Sequence, residues 1–190
     1  MTPQSQNIKL APAAGRILIS QPTLIDNIFT NSVILLAEHD ADGSFGVILN
    51  KPSDINLSTL TDQQYAFDPL VYFGGPVKVD SLFFIHTRSD IPGSHELQNG
   101  LFWGGDTDVV RTLLEVKLIT SEEIKFFIGY SGWSPGQLQA EMEQNSWLVL
   151  EENAFDVMKE NVEKLWRKTL LSMGEEYAPW VNFPENPNLN

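Results

Sequence analysis

The residues that could carry chemistry in this sequence lie in two short segments. The first, Gly129-Tyr-Ser-Gly-Trp133, stands between an apolar run and Ser134-Pro135, which is the strand–turn–helix setting of a nucleophilic serine. That motif reads Gly-x-Ser-x-Gly, and Trp133 occupies the position of its second glycine. All three histidines precede Ser131, whereas the histidine follows the serine in hydrolases of this type. We therefore predict no catalytic residue, and a hydrolase that uses the Gly129–Trp133 turn remains an alternative.

The second segment, Glu38-His-Asp-Ala-Asp42, contains residue types that bind metal ions. A helical zinc site pairs two histidines four positions apart, and this segment has one histidine. An EF-hand calcium loop beginning at Asp40 would need glutamate at its twelfth position, where Lys51 stands. A turn whose short polar side chains bond to their own backbone explains the segment without a metal. We predict neither a metal site nor a cofactor.

A ligand site is instead predicted where strand ends and turns bring polar and aromatic groups together. Glycine pairs at Gly74-Gly75 and Gly104-Gly105 would let the backbone approach a neighbour or a ligand closely, although tight turns in a curved sheet also explain them. His86 ends a strand of large apolar residues, so a structural role is the alternative for this histidine. The predicted ligand-binding residues are Glu38, His39, Asn50, Gly74, Gly75, Pro76, His86, Tyr130 and Trp133.

The charge of the chain argues against polyanionic partners. Twelve basic and 25 acidic residues give a net charge of −13, and both halves of the chain are acidic. DNA affinity depends on basic side chains that neutralise phosphates. The local basic concentration is Lys159–Lys168, and Glu160 and Glu163 interrupt it. The charge therefore argues against direct nucleic-acid binding, which is kept as an alternative, and against anionic membranes for the same reason. We expect a protein or small-molecule partner.

Cysteine usage and hydropathy give an expectation for location. The sequence contains no cysteine, which excludes disulfides and thiolate metal sites and fits a reducing compartment. Its first residues lack the basic start and apolar run of a signal peptide. Apolar runs such as 33–37 are far shorter than the roughly 20 residues of a membrane helix. A cytoplasmic protein is expected.

The elements that must position these residues follow an α+β pattern. Hydrophobic patterning predicts strands over 15–20, 33–38, 46–50, 71–73, 82–86, 124–130 and 147–150. Helices are predicted over 57–63, over 107–115 with Asp106 as N-cap, over 134–145 with Ser134 as N-cap, and over 155–170 with Gly174 closing it. Residues 88–100 are predicted to be a surface loop. The domain boundaries expected are a lead-in over 1–14, one domain over 15–174, and an irregular Pro/Asn-rich tail over 175–190.

Three segments together resemble the YqgE/AlgH family: 32–52, 72–77 and 126–141. The resemblance extends from about Gly15 to about Leu150, with mild departures at Ser131, where the family commonly has alanine, and at Ser44-Phe45. It implies a single α+β domain with a strongly bent, barrel-like mixed sheet and helices packed outside. It also implies the label of transcriptional regulator, from a genetic association with alginate regulation, and no catalytic residues. With the acidic charge, it predicts a non-enzymatic regulatory or interaction module that does not bind DNA directly.

Overall fold

Short apolar strands build the molecule around one sheet. The computed structural model describes residues 10–24, 26–150, 158–159 and 161–181. The strands are β1 (Ile17–Ser20), β2 (Val33–Asp40), β3 (Gly43–Ile48), β4 (Pro52–Asn56), β5 (Leu70–Phe73), β6 (Val77–His86), β7 (His95–Gln98), β8 (Leu101–Trp103), β9 (Ile124–Trp133) and β10 (Trp147–Leu150). The helices are α1 (Leu57–Thr61), α2 (Thr107–Glu115), α3 (Gln137–Glu143), α4 (Val162–Ser172) and α5 (Ala178–Val181), with a 3₁₀ turn at Glu175–Tyr177.

Strand pairing makes this a mixed sheet. The strand order is β10-β1-β2-β3-β9-β6-β8-β7, with β5 paired to β9 and β4 paired to β5. The β5–β9 pair is parallel and the other pairs are antiparallel. The long strand β9 is central because its first half pairs with β5 and its last residues pair with β3. No pairing joins β10 to β7 among the described residues, so the sheet is not closed.

One face of the sheet, here called the inner face, lines a core shared by strands that are far apart in the strand order. Leu148 of β10 and Ile17 of β1 belong to the same buried cluster as Ile85 of β6 and Leu101 of β8. Strands from opposite ends of the sheet can line one core only if the sheet bends strongly. Helix α4 packs against this cluster through Trp166 and its apolar neighbours.

The opposite face, the outer face, carries two further clusters under helices. Leu18, Ile34 and Trp147 pack with Leu138 of α3 in the first cluster. In the second cluster, the sheet residues Val71, Phe84 and Phe126 pack against two helices. The helix residues are Leu57 of α1 and Val110 and Leu114 of α2. Because strands such as β1 are buried on both faces, they read as continuous apolar runs. The predicted α+β domain with a bent mixed sheet is therefore confirmed.

Two helix starts test the capping predictions. Asp106 accepts hydrogen bonds from the backbone N–H of Asp108 and Val109 at 2.9 and 3.2 Å, as predicted for the N-cap of α2. The prediction for α3 was wrong in its start, because α3 begins at Gln137. Ser134 precedes that start, although its N–H does donate to the Gln137 side chain at 3.0 Å. Strand β9 continues to Trp133 by pairing with β3, which delays the helix.

The predicted loop over 88–100 was also wrong in part, because it contains β7. Strand β7 pairs with β8 across Asn99-Gly100, whose φ angles are 52° and 78°. An Asn-Gly pair with positive φ at both residues is the strongest short-range hairpin signal, so the sequence did carry it.

The irregular tail was likewise wrong over 175–181, where the 3₁₀ turn and α5 form and Trp180 packs against the inner-face cluster. The start of the predicted last helix at Phe155, the N-terminal lead-in up to residue 9 and the tail beyond residue 181 lie outside the described residues. None of the helices in the described part of the chain is long and apolar enough to cross a membrane.

Candidate functional site

An open groove lies between the tip of the β2–β3 hairpin and the C-terminal end of β9. Its volume is about 560 Å³. The hairpin contributes three carboxylates, those of Glu38, Asp40 and Asp42, and β9 contributes Tyr130 and Trp133. The other lining residues are Gly43, Ser44, Phe45, Val77, Gly132, Ser134 and Pro135. The groove therefore combines acidic and aromatic surface.

An irregularity in β2 places the first of these carboxylates. Leu36 packs in an outer-face cluster, so strict alternation would point Glu38 to the same face. The pairing of β2 with β3 shifts register between Leu36 and Glu38, which puts Glu38 opposite Phe45. A register shift of this kind re-aims a side chain. Here it brings Glu38 to the rim of the groove.

A second irregularity, at Gly129, turns Tyr130 toward the groove. Phe127 belongs to the inner-face cluster, so alternation would point Tyr130 outward. Gly129 has φ 67°, and a Cβ there would lie 2.4 Å from the Gly75 carbonyl oxygen. Only glycine fits that position. The local break in alternation lets Tyr130 pack against the inner-face cluster.

Two lining residues, Phe45 and Tyr130, contact two further aromatic residues behind the groove, and we call the four the aromatic quartet: Phe45, Phe83, Trp103 and Tyr130. Ring centroids are 5.5 Å apart for Phe45–Trp103, 5.8 Å for Trp103–Phe83, 5.6 Å for Phe83–Tyr130 and 5.7 Å for Tyr130–Phe45. The contacts close a circle, and each side chain is half-buried. Sequence reasoning found only Tyr130, because the quartet is assembled from four different strands.

A glycine lets the Tyr130 ring lie close to the backbone of β9. Gly132 pairs with Phe45 across β9 and β3, on the side of Phe45 away from Glu38. A Cβ at Gly132 would lie 3.1 Å from Cε2 of Tyr130. The missing side chain therefore leaves Phe45 and Tyr130 bordering the groove.

The carboxylates of the groove form no ion pair with another described residue. The ion pairs found among the described residues involve Arg88 and Arg111, and none includes Glu38, Asp40 or Asp42. Asp40 accepts a hydrogen bond from the N–H of Asp42 at 2.8 Å, which shapes the hairpin tip. The described residues contain no group of three or more His, Asp or Glu side chains placed to hold a metal ion. The groove therefore presents three carboxylates that make no ion pair among the described residues.

Glu141 fixes the groove to helix α3. Its Oε2 accepts the indole N–H of Trp133 at 2.9 Å and that of Trp147 at 2.7 Å. The two indole rings meet edge to face with centroids 5.9 Å apart. One carboxylate therefore ties the end of β9 to β10, so this side of the groove is preorganised.

Several predicted site residues lie beside the groove as supporting structure. His39 is not among the lining residues, but its Nδ1 lies 2.7 Å from Oγ of Ser44, which is one of them. Gly74 and Gly75 are buried under the Tyr130 backbone, where a Cβ on Gly75 would lie 2.3 Å from the Tyr130 carbonyl carbon. Pro76 is exposed and precedes Val77, a lining residue. Glu38, Tyr130 and Trp133 are the predicted residues that line the groove directly.

Asn50 does not join them. Its Oδ1 accepts from the N–H of Val33 at 2.9 Å, and its Nδ2 donates to the carbonyl of Asn31 at 2.8 Å. It borders a different groove, beside α4, together with Lys51. The prediction that Asn50 lies in the same site as Glu38 and Tyr130 was therefore wrong, because both ends of its side-chain amide bond to the backbone at the start of β2.

His86 lies at the far end of β6. Val77 pairs with Tyr130 at one end of that strand, whereas His86 pairs with Ile124 at the other. Along β9, six residues separate Ile124 from Tyr130, which at about 3.3 Å per residue is roughly 20 Å. His86 is fully buried and stacks on Phe102 with an interplanar angle of 10°. The expected convergence was wrong for His86 as well.

The hydrogen bonds of His86 identify its role. Nδ1 accepts the N–H of Arg88 at 3.2 Å, and Nε2 lies 2.8 Å from the Gly104 carbonyl oxygen and 3.0 Å from Ser94 Oγ. Because a backbone N–H can only donate, the neutral ring carries its proton on Nε2. Burial lowers the pKa of His86, which favours that neutral ring. An Nε2–H group cannot accept a proton from Ser94, so the pair is structural.

Ser131 lacks the geometry of a nucleophile. It is fully buried, and its Oγ donates to the carbonyl of Gly74 at 3.0 Å. Within the described part of the chain, the hydrogen bonds of His39 and His86 go to other residues, and His95 is exposed at the start of β7. The hydrolase alternative required a base within hydrogen-bond reach of Ser131. That arrangement does not form around this serine.

Comparison with known proteins decides the family. The AlgH-like family model matches residues 17–178, which is most of the chain. The chain belongs to the AlgH-like family. It is similar to a UPF0301 protein of Cytophaga hutchinsonii, with 39% identity over 93% of this chain and 98% of that protein. It is also similar to a UPF0301 protein of Bacteroides fragilis, with 38% identity over 98% of this chain and 95% of that protein.

Two solved structures share the fold of this AlgH-like chain. A Corynebacterium diphtheriae protein has a TM-score of 0.75 at 24% identity, covering 92% of this chain and 94% of its own. The AlgH protein of Pseudomonas aeruginosa, solved in solution, has a TM-score of 0.62 at 24% identity, covering 93% of each chain. At this identity the likeness shows a common fold.

Proposed function

We propose that this AlgH-like protein is a non-enzymatic interaction module that binds a basic segment of a partner protein in the groove. The observation that carries the proposal is the set of three carboxylates, Glu38, Asp40 and Asp42, which no basic side chain among the described ion pairs neutralises. The net charge of −13 adds a long-range attraction for a basic partner. Any regulatory effect would then be exerted through that partner in the cytoplasm.

The aromatic residues of the groove support a protein partner over a small inorganic cation. Phe45 and Tyr130 supply rigid, half-buried surface of the kind that anchors peptide side chains. A volume of about 560 Å³ is in the range of peptide and small-molecule sites. Trp133, held by Glu141, gives the groove a fixed wall that need not be ordered on binding.

The other two functions have less support. Ser131 is committed to the carbonyl of Gly74, which weighs against the hydrolase. The acidic charge weighs against direct DNA binding. The interaction module is the function that the geometry favours.

The proposal is tested by titrating the protein with a fluorescent octapeptide of alternating lysine, arginine and glycine, followed by anisotropy. The charge-neutralising triple variant Glu38→Gln, Asp40→Asn, Asp42→Asn should weaken binding about 10-fold, since exposed charge pairs contribute roughly 0.2–1 kcal/mol each. Binding should also weaken as salt is raised.

A matched control separates the groove from the net charge. The triple variant Asp54→Asn, Asp62→Asn, Glu122→Gln removes the same charge at exposed positions outside the groove lining, and it should weaken binding less than about twofold. Amide chemical-shift changes should cluster at Gly43–Phe45 and Tyr130–Trp133. Equal losses in the two triple variants, or shift changes spread over the surface, would reduce the interaction to non-specific charge attraction and reject the proposal.

A further inference from the structure

The geometry points to arginine, rather than lysine or a methylated lysine, as the side chain that the groove takes from its partner. This inference rests on the proposed function, and it names the chemical group recognised within the same groove. It is carried by the aromatic quartet together with the placement of Glu38.

The Glu38 side chain and the Phe45 ring lie side by side on neighbouring strands. Glu38 and Phe45 are directly opposed in the β2–β3 pairing, which places their Cβ atoms about 5 Å apart. Glu38 is exposed, and Phe45 is half-buried. A cation that contacts the ring of Phe45 therefore lies within reach of the Glu38 carboxylate.

The second ring approaches from the other side. Tyr130 contacts Phe45 with centroids 5.7 Å apart and an interplanar angle of 66°, so the two rings meet at a corner. Gly132 adds no side chain to that corner, and a Cβ there would press on the Tyr130 ring. Phe83 and Trp103 stand behind these two rings and hold them in place. The result is a fixed aromatic corner with a carboxylate at its rim.

Three properties of guanidinium fit this arrangement. It is flat and weakly hydrated, so it stacks on an aromatic face at a small desolvation cost. It donates parallel N–H bonds to a carboxylate, which Glu38 can accept. A lysine ammonium is compact and strongly hydrated, which makes a ring a poor substitute for its water. A trimethylated lysine has no N–H left to donate to Glu38.

The test uses four fluorescent peptides that differ at one central residue: arginine, lysine, trimethyllysine or citrulline, the neutral counterpart of arginine. The arginine peptide should bind tightest, the lysine and trimethyllysine peptides about 3- to 10-fold more weakly, and the citrulline peptide at least 10-fold more weakly. Binding of all three cationic peptides with equal affinity, or tightest binding of trimethyllysine, would overturn the arginine inference while leaving the basic-segment proposal standing. Absence of binding by every cationic peptide would reject both.

Three variants test whether the aromatic corner and its carboxylate produce the preference. Phe45→Leu should weaken the arginine peptide more than the lysine peptide and so remove most of the arginine-over-lysine ratio, because guanidinium gains more from a ring face than a strongly hydrated ammonium does. Gly132→Val fills the corner without changing charge and should weaken the arginine peptide most. Glu38→Gln, at an exposed position, tests the same ratio without altering packing. An unchanged arginine-to-lysine ratio in the folded Phe45→Leu or Glu38→Gln protein would overturn the inference.

Discussion

The groove and the surroundings of His86 look alike in the sequence and differ in the structure. Both place polar, aromatic and glycine residues at strand ends, and both were predicted to bind a ligand. Around His86, the ring nitrogens contact Arg88, Gly104 and Ser94 within the protein. In the groove, the carboxylates of Glu38 and Asp42 face solvent. The comparison teaches that the polar cluster with internal partners serves stability, whereas the carboxylates that make no ion pair among the described residues are the candidates for binding.

The largest effect expected from this comparison is on the structural cluster. His86→Ala should lower the free energy of unfolding by about 3–4 kcal/mol, because it leaves a cavity against Phe102 and removes a hydrogen bond from the Gly104 carbonyl. Urea denaturation measures this change. The folded fraction should bind the basic peptide normally. A variant that stays stable but loses peptide binding would reverse the roles assigned to the two regions.

A second effect concerns a buried cation far from the groove. Lys125 is 6% exposed, and its Nζ lies 5.2 Å from the centre of the Tyr72 ring. Burial lowers the pKa of Lys125 from the usual 10.5 of a lysine to about 8. Between these values the unfolded chain binds more protons than the folded one, so stability should rise with pH from about 8 to about 10.5.

Lys125→Met measures the size of that effect. The difference from the parent protein in the free energy of unfolding should shrink by up to about 3 kcal/mol across this pH window, and the variant should be the more stable protein at pH 7. Chemical denaturation at pH 7, 8, 9 and 10 gives the curve. Parallel pH curves for the two proteins would show that Lys125 is well solvated in the folded state.

A smaller effect is expected at the buried serine. Ser131→Ala removes one of two donors to the Gly74 carbonyl, which keeps the N–H of Ile48, and should cost about 0.5–1.5 kcal/mol. Thermal and urea unfolding report it. The exchange should leave groove binding unchanged. Loss of a measurable ester hydrolysis on this substitution would instead revive the nucleophile interpretation.

The smallest effect on stability belongs to the groove itself. The triple variant at Glu38, Asp40 and Asp42 should change the free energy of unfolding by less than about 0.5 kcal/mol, because these exposed groups make no ion pair among the described residues. A thermal melt beside the peptide titration shows the contrast with His86→Ala. A large loss of stability would mean that the carboxylates have structural partners after all.

Much of the fold could be predicted from local sequence chemistry. The site was harder to predict, because it depends on which face of a strand each side chain points to. Asp106 as an N-cap and the continuous apolar run of β2 follow from rules that act within a few residues. The Asn99-Gly100 hairpin was equally readable and was missed. By contrast, the register shift before Glu38 and the backbone turn at Gly129 each reverse the facing of side chains. Strict alternation gives the wrong face for both groove residues.

The aromatic quartet shows the second limit. Phe45, Phe83 and Trp103 come from strands β3, β6 and β8, and each alone is an ordinary half-buried aromatic residue. They meet because β9 pairs with both β3 and β6. Sequence patterns identify strands well but do not determine their order in the sheet. The acidic hairpin was therefore predictable as a polar turn, whereas its aromatic wall was not.

The pairing of β1 with β10 has a consequence for how the chain folds during synthesis. β1 receives one partner from β2 nearby, but the other comes from near the end of the chain, and Trp166 bonds to the Ser20 carbonyl 146 positions away. Closing such distant contacts is slow, because the entropy of a long loop must be lost first. On the ribosome, at roughly 5–20 residues per second, several seconds would pass between the synthesis of β1 and β2 and the synthesis of β10, which pairs with β1. A nascent chain stalled before β10 should therefore expose the apolar residues of β1 and β2 to chaperones.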